Sequence, residues 1–420
     1  MSRVIFFSVL LIILILIDVY IFQAIKTVTQ NLVPTARKII HIGFWSVTLI
    51  SLLSILIYQI VGRESLPPSF RTVFFSLVVV VYFSKIFGVL VLMIDDVVRF
   101  GQWAWAQIKG SSTNAQAHMA GADATISRSE FMAKTALLTA AVPAVTMGYG
   151  IISGAHDYRI RRLKVVLPKL PAAFDGLRIA QLSDIHSGSF FNKTAVEGGI
   201  DMLLQEKPDL VFFTGDLVNN ETAEVKEYID IFGKVKAPLG VFSTTGNHDY
   251  GDYRGWSSQA ARQQNFRDLI EAHRLMGWNL LMNEHRFLQE GSDKIAIIGV
   301  ENWGAGRFSK YGQLDKAYSG SEEAPVKLLL SHDPSHWDAQ VRPGYADIDV
   351  TFSGHTHGFQ FGVELGNFKW SPSQYIYKQW AGLYQEAHQY LYVNRGYGFI
   401  GFPGRVGILP EITILELAKG

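Results

Sequence analysis

Val326-Lys327-Leu328-Leu329-Leu330-Ser331-His332-Asp333 and Ile348-Asp349-Val350-Thr351-Phe352-Ser353-Gly354-His355-Thr356-His357 follow one plan. A short apolar run ends, and side chains that bind cations follow at once. Three earlier stretches repeat it: Leu177–Leu182 before Asp184-Ile185-His186, Leu210–Thr214 before Gly215-Asp216, and Val241–Thr244 before Gly246-Asn247-His248-Asp249. Short apolar runs bounded by turn residues read as buried strands. Parallel strands of an α/β sheet deliver their C-terminal ends to one edge, where ligand sites form. Asp184, Asp216, His186, His332, His355, His357 and Asn247 are therefore expected to converge. Oxygen and imidazole donors without thiolate suit Mn, Fe, Zn or Mg. Seven donors are too many for one tetrahedral site. They suit two divalent metal ions about 3.5–4 Å apart that share a carboxylate.

These five blocks, in this order and each behind a strand, resemble the calcineurin-like metallophosphoesterases from about Phe174 to Leu417. The tail around Val393-Asn394-Arg395-Gly396-Tyr397-Gly398 and Gly401-Phe402-Pro403-Gly404-Arg405 is similar to a membrane-associated bacterial branch. The resemblance implies a four-layer αββα sandwich over residues 158–420; the residues alone support only α/β. It implies one metal held by Asp184, His186, Asp216 and His357, and a second by Asp216, Asn247, His332 and His355, with Asp216 bridging. It makes His248 the catalytic residue that assists the leaving group. The paired metals would lower the pKa of a shared water, so that hydroxide exists near neutral pH.

Two positions depart from the family's pattern. The Asp216 block usually carries a second Asp that orients the catalytic His; here Asn219 stands there, with Asp249 as a possible substitute. The last block often ends Gly-Gly-Gln, where this chain has Gly358-Phe359-Gln360. That change predicts a narrower or more apolar approach to the metals. Arg395 and Arg405 are candidates to bind a phosphate oxygen, or surface or fold-stabilising arginines. Asp249–Gln264 is either a substrate-recognition lid or a loop leading into a helix. Phe368, Trp370, Tyr375, Tyr377, Trp380 and Tyr384 either touch lipid or pack a sheet.

The first 155 residues differ in character. Four apolar runs, residues 4–25, 39–61, 73–94 and 133–152, are long enough to cross about 30 Å of hydrocarbon as helices. They predict an all-α transmembrane region. The third contains Lys85, and an ionisable residue inside a span raises the question of function; helix packing or snorkelling is the plainer reading. Gly110–Arg128 reads as a flexible loop. Ser127-Arg128-Ser129-Glu130-Phe131-Met132 weakly resembles a twin-arginine export signal with only one Arg present. Lys26, Arg37, Lys38, Arg99, Lys109 and Arg128 favour the first and third loops inside. The C-terminal domain then lies outside the cytoplasmic membrane of a bacterium, although Arg159, Arg161, Arg162 and Lys164 pull the other way.

The chain has 420 residues and a net charge of +1, which gives no field for nucleic acid. It has no Cys, which excludes disulfides, thiolate metal sites and a Cys nucleophile. The expected partners are the lipid bilayer and a phosphoester substrate. The expected activity is hydrolysis of a phosphodiester or pyrophosphate bond, with a lipid-linked substrate as one option. Two alternatives stand beside it: a nucleotide-sugar-lipid pyrophosphatase, which requires a cytoplasmic domain, and a non-catalytic metal-binding scaffold.

Overall fold

The computed structural model describes residues 3–61, 66, 68–108, 127–366 and 368–420. Most of the expected loop at Gly110–Arg128 lies outside them. The chain divides into two units, Met1–Gly148 and Tyr149–Gly420.

Three helices and most of a fourth form the first unit: α1 (Arg3–Thr29), α2 (Pro34–Val61), α3 (Pro68–Ile108) and α4 (Arg128–Ile152). Each is long and apolar enough to cross a membrane. Their burial pattern is inverted relative to a soluble bundle. Ile12, Leu16, Leu49, Ile60, Val73, Leu90 and Leu138 face outward, while Asp18, Ser51, Ser54, Ser76, Ser84 and Lys85 are buried. That arrangement is stable only where the outer surface meets hydrocarbon. Ser51, Ser54 and Ser76 return their hydroxyls to carbonyls four residues earlier. Lys85 is ion-paired with Asp18, whose other oxygen accepts from Tyr82 at 2.8 Å. Its ammonium also lies 4.5 Å from the centre of the Phe44 ring.

The third helix runs well past the apolar run that announced it. Its 41 residues span about 60 Å at 1.5 Å per residue, twice the hydrocarbon thickness. The extension begins at Asp95 and Asp96. Arg128 bonds Asp95 at 2.9 Å and Tyr20 donates to Asp96 at 2.6 Å. The stretch resembling an export signal is a helix start. Ser127 Oγ accepts from the Glu130 N–H at 3.2 Å, and Ser-x-x-Glu is a capping-box spacing.

The second unit holds two six-stranded mixed sheets and a separate hairpin. The first sheet runs β1-β14-β2-β3-β4-β5, comprising β1 (Arg159–Leu167), β2 (Arg178–Leu182), β3 (Leu210–Phe213), β4 (Val241–Ser243), β5 (Asn279–Leu280) and β14 (Glu411–Lys419). The second runs β12-β13-β9-β8-β7-β6, comprising β6 (Glu284–Glu290), β7 (Asp293–Gly299), β8 (Lys327–Leu330), β9 (Val350–Ser353), β12 (Gly382–Glu386) and β13 (Gln389–Val393). The hairpin is β10 (Val363–Leu365) with β11 (Phe368–Trp370). Within the first sheet β2, β3 and β4 are parallel, and within the second β7, β8 and β9 are. All five motif blocks therefore leave the C-terminal ends of parallel strands.

Alternation along the strands builds the layers. Ile179, Leu210 and Phe212 pack with Ile297, Leu328, Leu330, Val350 and Phe352 between the sheets. Ala180, Leu182, Val211 and Phe213 face the other way, under α5 (Lys193–Gln205), α6 (Ile229–Phe232) and α7 (Gln259–Met276). Ile298, Leu329, Leu391 and Val393 pack outward against Leu314, Trp337 and Val341. The result is helix, sheet, sheet, helix. Gln181 joins the sheets near the motif edge, donating to Thr214 Oγ1 at 3.0 Å and to the Ser353 carbonyl at 2.9 Å.

Candidate metal centre

The five blocks meet. Asp184, His186 and His357 form one group of converging ligand atoms, and Asp216, His332 and His355 a second. Asp216 joins them. Its Oδ2 lies 3.5 Å from His186 Nε2 and 3.1 Å from His332 Nε2. Its Oδ1 accepts the His248 N–H at 2.9 Å. One oxygen is thus fixed by the main chain and the other stands between the groups. Asp184 accepts the His355 N–H at 2.9 Å and lies 3.3 Å from His357 Nε2. Ring nitrogens also face each other: His186 Nε2 is 3.0 Å from His357 Nε2, and His355 Nδ1 is 3.3 Å from His332 Nε2.

The backbone is bent to make this possible. Asp184, His186, Asp216, His355 and His357 all have positive φ, between 49° and 71°. Non-glycine residues in that region cost about 1–3 kcal/mol each and gather at functional sites. Two glycines allow the close approach. A Cβ on Gly246 would sit 2.2 Å from Asp216 Oδ1, and one on Gly354 would sit 2.1 Å from Asp184 Oδ2. Phe359, where the family often has Gly, also takes φ 52° and is exposed at the rim.

Charge and protonation suit cations. Burial pushes His186, His355 and His357 down, leaving neutral rings with lone pairs. Burial would raise Asp184 and Asp216, but neighbouring imidazoles (chiefly His357 and His332 respectively) hold both below the usual carboxylate range. Burial would also lower His332, yet Asp216 outweighs it and lifts the ring to about 10. The His332 Nδ1–H donates to the Thr214 carbonyl at 2.7 Å, so its second proton lies at Nε2, where a cation would displace it. Asn247 adds an orphan: its Nδ2 donates to Tyr253 Oη at 2.8 Å, while its buried Oδ1 has no partner among the described residues. A hard cation would satisfy that oxygen. The donor set fits a pair of divalent metals.

His248 is half-buried beside these groups, its ring 5.0 Å from His186. Its Nδ1 donates to the main-chain carbonyl of Asn219 at 2.7 Å. The Asn219 side chain bonds Ser189 instead, at 2.9 Å. Orientation of His248 thus comes from the peptide at 219 and not from its side chain. Asp249 does not substitute for the missing carboxylate. It is fully buried and accepts the N–H groups of Asp216, Leu217 and Gly246 at 2.8–2.9 Å, with Val218 at 3.4 Å. It ties the Asp216 loop to the Asn247 loop.

The expectation that Arg395 and Arg405 bind phosphate is corrected by their burial. Arg395 is held by Glu364 at 2.5 Å and Glu411 at 2.6 Å. Arg405 donates to the carbonyls of Gly396, Gly398 and Ile408. It also reaches His357 Nδ1 at 3.1 Å, a positioning contact that sequence alone did not signal. The Asp249–Gln264 segment is a loop into α7, with the Ser258 hydroxyl capping the helix. Within it Tyr253 stacks 4.5 Å from His248. Tyr377 Oη lies 2.8 Å from His355 Nε2, and Phe308 is 4.9 Å from the same ring. Tyr253, Phe308 and Tyr377 give the second ligand group an aromatic wall. Only Tyr253 and Tyr377 lay in stretches the sequence had marked.

A two-sheet α/β sandwich with a carboxylate between two His-rich groups defines a class of metal-dependent phosphoesterases. Residues 177–359 match the family described as calcineurin-like phosphoesterase, and residues 2–155 that described as probable calcineurin-like phosphoesterase, transmembrane domain. The chain is similar to a transmembrane protein with metallophosphoesterase domain from Danio rerio, 30% identical over 67% of this chain. It spans 62% of that relative's length. The uncharacterized metallophosphoesterase YkuE of Bacillus subtilis is 29% identical, over 64% of this chain and 90% of its own length. The UDP-2,3-diacylglucosamine pyrophosphatase LpxG of Chlamydia trachomatis is also 29% identical, over 63% and 91%. The chain belongs to the calcineurin-like metallophosphoesterases.

Proposed function

We propose that this protein is a membrane-anchored phosphohydrolase that uses two divalent metals to cleave a phosphodiester or pyrophosphate bond. The observation that carries the reading is Asp216 Oδ2, within 3.5 Å of one ligand group and 3.1 Å of the other. Asp184, His186, His357 and Asp216 would hold one ion. Asp216, Asn247, His332 and His355 would hold the other. When bound, the pair activates water and offsets charge growing on the phosphoryl oxygens.

The chain's own residues supply the rest. His248 presents Nε2 to the leaving oxygen while the Asn219 carbonyl holds Nδ1. A carbonyl accepts from Nδ1–H in both protonation states of the ring, so it fixes direction without fixing charge. A positioned donor of this kind contributes about 10²–10⁴-fold. The Thr214 carbonyl fixes the His332 tautomer, and such outer partners orient ligands. Tyr253, beside His248, borders the side from which the leaving group departs and favours a flat or apolar one.

For substrate class we favour a phosphoester carried by a lipid. Four spans exceed what tethering requires, and LpxG, by its name, hydrolyses a pyrophosphate in an acylated sugar nucleotide. The loop charges lean toward a C-terminal unit outside the membrane, against the pull of Arg159, Arg161, Arg162 and Lys164. The pyrophosphatase alternative needs it inside, where nucleotide-activated sugars are made. A reporter fused after Gly420 separates the two. Hydrolysis of lipid phosphoesters by the full-length protein in mixed micelles tests the substrate class. Good turnover of soluble diesters with none of any lipid ester would remove the lipid-linked reading.

A further inference from the structure

We propose that the hairpin β10–β11 and the turn after it form a bilayer-contacting surface at the mouth of the metal site. A soluble surface rarely leaves large apolar side chains open in a continuous run. Here Leu365 is 72% exposed, Phe368 61%, Tyr375 76% and Ile376 67%. Phe359, Phe361 and Val363 are exposed on the same stretch. The hairpin is a two-stranded sheet of its own, so no larger sheet demands these residues. An isolated hairpin is marginal in water; the segment after it is anchored instead to the turn that carries His355 and His357.

Three hydrogen bonds make that anchor. Ser371 Oγ donates to the Gly358 carbonyl at 2.6 Å, Thr356 Oγ1 donates to the Trp380 carbonyl at 2.6 Å, and Tyr377 Oη pairs with His355 Nε2 at 2.8 Å. Ile376, open to the outside, is therefore one residue from a side chain touching a ligand of the second group. Of the aromatic residues marked in the sequence, Trp380 is buried and Phe368 and Tyr375 are not. The two readings of that cluster thus divide between different residues.

The membrane spans favour lipid as the occupant over another protein. A cavity of about 380 Å³ at the hairpin's base is lined by Arg159, Arg161, Lys369 and Arg395, but Asp157, Glu364 and Glu411 pair with its three arginines and leave it little free charge. The apolar tips match the acyl region of a bilayer. The chain's own spans keep this unit at a membrane. Joined to the phosphohydrolase reading, on which this consequence rests, the surface lets a lipid phosphoester reach the metals without leaving the interface.

The chain has no Cys, so single-cysteine probes report cleanly. Leu365→Cys and Ile376→Cys, with Ser292→Cys in the exposed β6–β7 turn as reference, are labelled with an environment-sensitive fluorophore. The full chain is then placed in nanodiscs of phosphatidylcholine and phosphatidylglycerol. Doxyl groups near the glycerol end of the acyl chains should quench positions 365 and 376 several-fold more than 292, and aqueous iodide should quench them less. Iodide quenching equal to that at 292 would overturn the proposal. Protection from iodide without doxyl quenching would also overturn it, since a protein surface would then cover the hairpin. The readout involves no catalysis, so its failure and failure of the phosphohydrolase reading remain distinct.

Discussion

Asp249→Asn should destabilise the metal-loaded protein far more than the metal-free one. The Asp249 oxygens divide their work. Oδ2 takes the N–H groups of Asp216 and Gly246 at 2.9 and 2.8 Å, and Oδ1 takes Leu217 at 2.8 Å. An amide retains one oxygen and turns an NH₂ group toward the other donors. Loss of the Leu217 hydrogen bond and the longer Val218 contact to a charged acceptor removes about 3 kcal/mol. Opposing this, burial and the charge of Asp216 push the Asp249 carboxyl up to about 7 in the metal-free site. A raised carboxyl pKa means the folded state holds its proton longer than the unfolded one. Through this group the metal-free protein therefore loses stability as pH rises from about 4 toward 7. Asn removes that strained charge and offsets much of the lost bonding. Bound cations relieve the strain in the wild type, so there the full loss appears. The melting midpoint of the C-terminal unit, followed in detergent at pH 7.5, should fall by roughly 6–12 °C with metal loaded. Without metal the fall should be a small fraction of that. Equal falls in both states, or none with metal, would refute the clamp.

Gly354→Ala should lose the first metal, because the added methyl meets Asp184 Oδ2 and Ser183 Oγ at about 2 Å; metal content by mass spectrometry checks this. His248→Ala should lower kcat by about 10²–10⁴, whereas Asn219→Asp should change it by less than about tenfold, since the main-chain carbonyl and not the side chain holds the ring. In the helical unit, Lys85→Met alone leaves Asp18 buried and unpaired and should cost about 3–5 kcal/mol. The double variant with Asp18→Leu should recover most of that loss in a denaturation assay in detergent.

The strands that carry the motifs were legible because each is a short apolar run closed by a polar block, and burial on both faces leaves no other reading. β1 was not, since Arg159, Arg161 and Arg162 crowd its first half with cations; it is an edge strand whose cations reach Asp157, Glu364 and Glu206. The first half of α7 was hidden by its polar sequence; the helix is anchored through Leu269, Ala272 and Met276 in its second half. The ligand residues were visible as types in a pattern, whereas their support was not. The peptide of Asn219, the four donors to Asp249 and the Arg405 contact to His357 depend on main-chain positions or distant segments, and no local pattern encodes those.

The central claim is that two metals share Asp216. The most direct test is metal stoichiometry together with hydrolysis of an activated phosphodiester by the full-length protein, comparing wild type with Asp216→Asn after stripping and reloading with Mn. The account predicts two ions per chain and metal-dependent turnover in the wild type. In the variant it predicts fewer than two ions and loss of turnover by at least about 10³-fold, because the bridging charge is gone. Full occupancy and undiminished turnover in Asp216→Asn would contradict it.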